Sequence, residues 1–190
     1  LPDVRALARE RQHAVVRVET FEYFLPGLVR RGERLLNPLP LTSNVSDAFS
    51  FAFYLPSGIF YGLRKHLGAG VLFDADGYLL TNNHVIAGAR EILVQLADGR
   101  DAMATVIGTD PDTDLAVLDI DLPQLQPIPV GNPEAADVGD VVLAIGNPYG
   151  FGQSVSQGII SATGRFGLQL NAYENYIQTD AAINPGNSGG

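Results

Sequence analysis

Apolar residues recur along this chain in two rhythms. Within Asp3–His13, Val4, Leu7 and Ala8 stand at i, i+3 and i+4, which puts them on one face of a short helix. Ala14–Thr20 (AVVRVET) is rich in β-branched residues and is predicted as a strand. Regularity then dissolves from Phe21 to His66. This stretch holds Pro26, Pro38, Pro40 and Pro56, the basic cluster Arg30, Arg31 and Arg34, and the aromatic residues Phe49, Phe51, Phe53, Tyr54, Phe60 and Tyr61. So long a loop inside a compact domain is uncommon and usually functional or mobile. After Gly68, short apolar runs alternate with turn residues: Gly70–Phe73, Tyr78–Thr81, Glu91–Leu96, Arg100–Gly108, Leu115–Ile120, Asp140–Gly146, Ser154–Thr163 and Tyr173–Thr179. The first four runs form two pairs around Asp76-Gly77 and Asp98-Gly99, and Asp-Gly suits a hairpin turn that needs positive φ. Strands at this spacing, with little helix between them, predict an antiparallel all-β fold built as a sandwich or as barrels.

Composition narrows the chemistry. With 46% apolar and 17% charged residues, the chain is globular, and its 190 residues suffice for one large domain or two small ones. There is no Cys, which excludes a disulfide scaffold, a thiol nucleophile and Cys-ligated zinc or iron–sulfur. No window of eighteen apolar residues is available to span a bilayer. The net charge of −9 is uneven: residues 1–65 carry nine Lys/Arg and six Asp/Glu, while residues 66–190 carry three and fifteen. A main body this acidic argues against a nucleic-acid partner, whose phosphates need clustered positive charge. No complete G-x-G-x-x-G or P-loop occurs, so no cofactor is expected. The chain opens on Leu1 and its sole Met is Met103, so the natural start, with any signal or anchor, is expected upstream.

Three short stretches carry candidate chemistry: Thr81-Asn82-Asn83-His84-Val85-Ile86, Thr113-Asp114-Leu115-Ala116-Val117-Leu118 and Asn184-Pro185-Gly186-Asn187-Ser188-Gly189-Gly190. Taken singly, each has an ordinary reading as a structural histidine, a strand-start acid and a glycine-rich loop. Together they supply a complete set of parts. A serine hydroxyl is a poor nucleophile at neutral pH and needs a base such as imidazole beside it. The imidazole needs a carboxylate to fix its tautomer and stabilise its cation. A developing oxyanion needs fixed N–H donors, and glycines next to the nucleophile let the backbone aim them. His84, Asp114 and Ser188 fill the three roles in the His…Asp…Ser order of chymotrypsin-type proteases, with the N–H groups of Gly186 and Ser188 as the oxyanion hole.

These three motifs resemble those of the Deg/HtrA serine proteases. The stretches Gly139–Tyr149 (GDVVLAIGNPY) and Gln157–Arg165 (QGIISATGR) look closest to the DegS branch. The likeness runs from about Gly68 to Gly190 and more weakly over Asp3–Thr20. It implies a chymotrypsin-like double β-barrel of two perpendicular six-stranded barrels, with His84 and Asp114 from the first and Ser188 from the second. The expected layout is one protease domain. The N-terminal helix and first strand fill 1–20, and a long irregular insertion fills 21–66. The rest of the first barrel occupies 67–122, and a second barrel, cut short two residues after the nucleophile, occupies 123–190. The resemblance further implies an ATP-independent endopeptidase of misfolded or regulatory envelope proteins, working through an acyl-enzyme. It implies a homotrimer, a PDZ domain C-terminal to this segment, and a periplasmic setting. Anchorage to the inner membrane would come from a missing N-terminal segment. These 190 residues alone are expected to have little peptidase activity.

Local departures refine the expectation. Asn187 replaces the Asp that digestive relatives carry before the nucleophile, so it cannot pair with a newly cut N-terminus; control should lie in loops that order the oxyanion hole. By resemblance Arg165 lies on a sensor loop; its other reading is a solvated loop charge. Ala182, six residues before Ser188, and Ile183 imply an apolar specificity pocket that takes small or medium aliphatic side chains and rejects Lys and Arg. Asp110-x-Asp112-x-Asp114 imitates half a calcium loop but has Leu115 where Gly is required, so no metal is expected. The insertion 21–66 reads either as a packed excursion or as a contact with a neighbouring subunit or membrane. The competing function is a non-catalytic chaperone or peptide-binding module on the same fold.

Overall fold

Asp3 opens the first helix. Its carboxylate accepts the backbone N–H groups of Arg5 and Ala6 at 3.0 and 3.2 Å, satisfying donors that a helix start leaves free. Helix α1 (Val4–Arg11) ends in Arg9 and Arg11, which suit the negative end of its dipole. A 3₁₀ turn over Gln12–Ala14 then leads into the first strand, so the predicted strand begins one residue late. The computed structural model describes residues 3–24, 51–54, 60–147 and 153–190. Their strands are β1 (Val15–Phe24), β2 (Phe51–Tyr54), β3 (Phe60–Leu72), β4 (Tyr78–Asn82), β5 (Glu91–Gln95), β6 (Asp101–Asp110), β7 (Leu115–Ile120), β8 (Val141–Gly146), β9 (Ser154–Arg165) and β10 (Tyr176–Thr179); a one-turn helix α2 (Asn83–Ile86) follows β4.

Six strands close on themselves in the order β1-β5-β6-β7-β4-β3, with β3 returning to β1. Every pairing is antiparallel, and closure leaves the ring no free edge. Strand alternation fills the interior. Val16 and Val18 of β1, Leu72 of β3, Leu79 of β4, Ile92 and Val94 of β5 and Leu118 and Ile120 of β7 form one buried cluster. Leu118 is fully buried within it. Leu118→Ala should therefore destabilise the domain by about 2–5 kcal/mol, read as a lower urea midpoint at unchanged slope.

Both Asp-Gly turns form, with Gly77 at φ 117° and Gly99 at φ 87°. At Gly77 a Cβ would lie 2.1 Å from the Ile120 carbonyl oxygen, so close approach and conformation both call for glycine there. Asp74 accepts the Asp76 N–H at 2.6 Å across the first turn, a side-chain bond that supports the hairpin.

The second half of the chain holds a three-stranded antiparallel sheet in the order β10-β9-β8, not a closed barrel. The all-β class and the first barrel are therefore as expected; in place of the expected second barrel, the described residues form this open sheet. Strands also reach into the span read as an irregular insertion. β1 continues to Phe24, β2 lies within the span, and β3 begins at Phe60, pairing with both β1 and β2. The prolines dominate the text of that segment, but its aromatic residues favour extended backbone. Residues 25–50 and 55–59 lie outside the described residues.

Candidate active site

His84 and Asp114 meet because β4 and β7 are paired with Asn82 opposite Leu115. The histidine follows β4 on helix α2, and the aspartate precedes β7 by one residue, so both fall at the same end of the barrel. Asp114 has φ 58°, a left-handed conformation that Asp tolerates better than most residues. Its backbone is gripped twice: its carbonyl accepts the Asn83 N–H at 3.0 Å and the Asn82 side-chain amide at 2.9 Å. Its carboxylate grips the histidine twice as well. Oδ1 accepts the His84 backbone N–H at 2.8 Å, and Oδ2 lies 2.6 Å from His84 Nδ1.

An ionised carboxylate only accepts hydrogen bonds, so Nδ1 of the neutral ring must carry the proton. The Nε2 lone pair is then left to accept a proton, which is the state a general base requires. Exposure follows the same division. The Asp114 side chain is 18% exposed and that of His84 58%, so the acid is shielded and the base is open. Asp110, upstream, accepts the Asp112 N–H at 3.1 Å and the Thr113 hydroxyl at 2.8 Å. The acidic triplet is thus a turn that delivers Asp114 to His84.

Ser188 lies in the second of two consecutive tight turns that share Asn187. The Asn187 N–H donates to the Asn184 carbonyl at 3.0 Å, and the Gly190 N–H to the Asn187 carbonyl at 2.9 Å. The third residue of each turn is a glycine with positive φ, Gly186 at 95° and Gly189 at 89°. Pro185 presets the second position of the first turn, so Asn184-Pro185-Gly186-Asn187 meets the requirements of a type II turn. The loop is fastened to the barrel where the Ala69 N–H of β3 donates to the Ser188 carbonyl at 2.8 Å. A Cβ on Gly189 would lie 2.2 Å from the Ala69 carbonyl oxygen and 2.5 Å from Thr81 Oγ1, so no other residue fits. A Cβ on Gly68 would lie 2.6 Å from Val85 and 3.2 Å from the Ser188 carbonyl oxygen. The serine loop therefore lies beside the residue that follows His84.

Among the described residues no hydrogen bond joins the Ser188 hydroxyl to His84. The structure couples His84 with Asp114 and brings Ser188 to the same end of the barrel. The N–H groups of Gly186 and Ser188 donate to no protein group among the described residues. Asn187 packs over Gly146, where a Cβ would lie 2.3 Å from its Oδ1. The carbonyl of Ala182 accepts the Ser156 hydroxyl at 2.7 Å, and the Ile183 side chain is largely exposed. Arg165 stands at the end of β9 with its Nε donating to Gln178 Oε1 of β10 at 3.0 Å. Arg165 is exposed, and this contact lies at the surface.

Sequence reasoning missed Asn82. An Asn just ahead of a helix reads as a cap, yet its side chain makes no cap bond and holds the Asp114 carbonyl instead. It also missed Asp180, whose carboxylate accepts the Ile159 N–H at 2.8 Å and fastens the segment leading to Ser188 onto β9.

The family model described as "Trypsin-like peptidase domain" matches residues 68–190. The chain belongs to this family. Its relatives place this trypsin-like peptidase domain in the Deg/HtrA group. It is 54% identical over 127 residues to serine endoprotease DegS of Salmonella typhimurium, a match covering 66% of this chain and 36% of that protein. It is 40% identical over 198 residues to a probable periplasmic serine endoprotease, DegP-like, of Pseudomonas putida, covering all of this chain and 40% of that one. A solved structure of the HtrA-type protease AlgW with a tripeptide superposes at a TM-score of 0.75 with 42% identity, over 99% of this chain and 49% of that one. The peptidase domain thus spans between about a third and a half of the length of these relatives.

Proposed function

We propose that this domain is the catalytic part of a periplasmic serine endopeptidase of the Deg/HtrA type, acting on misfolded or regulatory envelope proteins. The observation that carries the reading is the doubly hydrogen-bonded His84–Asp114 pair, with the Ser188 loop fastened beside it. Ser188 Oγ attacks the scissile carbonyl carbon as its proton passes to His84 Nε2. Asp114 stabilises the imidazolium, and the N–H groups of Gly186 and Ser188 hold the oxyanion. Collapse of the tetrahedral intermediate breaks the C–N bond. The amine leaves with the proton from His84, and an ester remains on Ser188. Water, deprotonated by His84, then cleaves that ester and restores the enzyme. Each step moves only protons and electron pairs between these residues, substrate and water, so neither ATP nor a metal enters the scheme.

The proposal includes control by loop ordering, in which activation brings the Ser188 hydroxyl into line with the His84–Asp114 pair. On this reading Arg165, the last residue of β9 and tied to Gln178, leads into the sensor loop. Assembly as a homotrimer with a PDZ domain, and anchorage at the inner membrane, belong to the same proposal and rest on family likeness.

Ala182 and Ile183 in the segment before the nucleophile favour an aliphatic residue on the N-terminal side of the cut. The test is digestion of unfolded casein by the intact protease, with cut sites mapped by mass spectrometry. Cuts after Val, Ala and similar residues are expected. Cuts concentrated after Lys or Arg would refute the pocket assignment. Binding of casein without any cleavage under activating conditions would favour the chaperone reading.

A further inference from the structure

The segment between β9 and β10 is held by an unusual device. Its apolar side chains do not hold it, since Phe166, Leu170 and Tyr173 are each more than two-thirds exposed, at 80%, 69% and 71%. Its backbone instead wraps around one carboxylate. Glu174 Oε2 accepts the Leu168 N–H at 2.7 Å, while Oε1 accepts those of Leu170 at 2.7 Å and Asn171 at 3.4 Å. Gly167 at φ 76° and Gln169 at φ 60° provide the left-handed steps that turn successive N–H groups toward one anion. The Leu170 N–H, followed by that of Leu168, holds the Glu174 carboxyl below its ordinary range.

The next residues reach the catalytic end of the barrel. The N–H groups of Ala172 and Tyr173 donate to the Asp112 carbonyl at 3.1 and 3.3 Å, and the Asn171 side-chain amide to the Thr113 carbonyl at 3.4 Å. Asp112 and Thr113 form the turn that ends on the left-handed Asp114. We propose that Glu174 is a positioning residue for the catalytic pair: it folds residues 168–171 so that residues 171–173 brace the Asp112–Thr113 turn and hold Asp114 against His84. The inference rests on the assignment of His84, Asp114 and Ser188 as the reacting unit.

A carboxylate suits this place because all its oxygens accept. Gln would turn one of them into an amide donor facing an N–H group, and Ala would supply no acceptor at all. The test uses the intact protease with Glu174→Ala and Glu174→Gln, a peptide substrate with an aliphatic residue before the cut, and rates measured from pH 5 to 9. Glu174→Ala is expected to lower kcat by about tenfold to a hundredfold, with KM within about twofold, as a slightly misplaced catalytic group does. The acidic limb of kcat/KM should move to lower pH, because a loosened carboxylate stabilises the imidazolium less. The low-field proton signal of His84 Nδ1 should move upfield. Added formate should restore part of the lost rate in Glu174→Ala by occupying the same N–H groups. Glu174→Gln should show the same limb shift with a smaller loss, and it carries the test if the Ala variant does not fold.

Wild-type kcat and an unmoved acidic limb in a folded variant would overturn the proposal. Ser188→Ala serves as the control. If that control is inactive while both Glu174 variants behave as wild type, only this inference fails. If it retains activity, the assignment of the reacting unit fails.

Discussion

Replacing Ser188 with Ala is expected to lower kcat on the order of a millionfold while KM changes little. In the proposed mechanism the hydroxyl oxygen forms the covalent bond to substrate, and no neighbouring side chain can take its place. Gly189 and Gly190 have no side chain, and Asn187 is packed over Gly146. The fold should tolerate the change, because the loop is fastened through the Ser188 carbonyl and not its hydroxyl. Residual acceleration over water would come from substrate binding and the N–H groups of Gly186 and residue 188. Steady-state kinetics on a peptide substrate, beside an unchanged thermal melt, checks both halves of this expectation. More than about one per cent of wild-type kcat would contradict the role given to Ser188.

The second large effect concerns Asp114. Asp114→Asn keeps the shape of the side chain but changes who donates. Its amide oxygen can still accept the His84 backbone N–H, which leaves the NH₂ group facing Nδ1. The ring must then accept at Nδ1 and carry its proton on Nε2, the atom that should receive the proton from Ser188. A loss of about 10⁴ in kcat is expected from this wrong tautomer. Folding should survive, since Asn82 and Asn83 hold residue 114 through its carbonyl oxygen and not its carboxylate. A variant within tenfold of wild type would show that the acid does not control the imidazole.

The parts legible in the sequence are those set by local rules. Alternating Leu79, Leu118 and Ile120, and the Asp-Gly pairs at residues 76–77 and 98–99, are local signals, and the strands and hairpins formed where those signals stood. The partnership of His84 with Asp114 was legible through motif and order, since nothing local says that β4 and β7 are neighbours. The strand expected from Tyr173 begins only at Tyr176, because the N–H groups of Ala172 and Tyr173 go to Asp112 and Glu174 closes on the backbone before it. That contact depends on tertiary structure, which periodicity does not encode. The same holds for Asn82, whose cap-like position conceals a bond to a residue thirty-two positions away. Proline content in the 21–66 stretch hid the early start of β3, whose pairing with β1 closes the barrel.

The central claim is that His84, Asp114 and Ser188 act as one proton-transfer unit. The most direct test treats the intact, activated protease with a fluorophosphonate and maps the adduct by mass spectrometry, beside His84→Ala treated identically. Phosphonylation of Ser188 alone, lost in His84→Ala, is the expected result. An adduct on another residue, or one that forms on Ser188 at an undiminished rate without His84, would contradict the account.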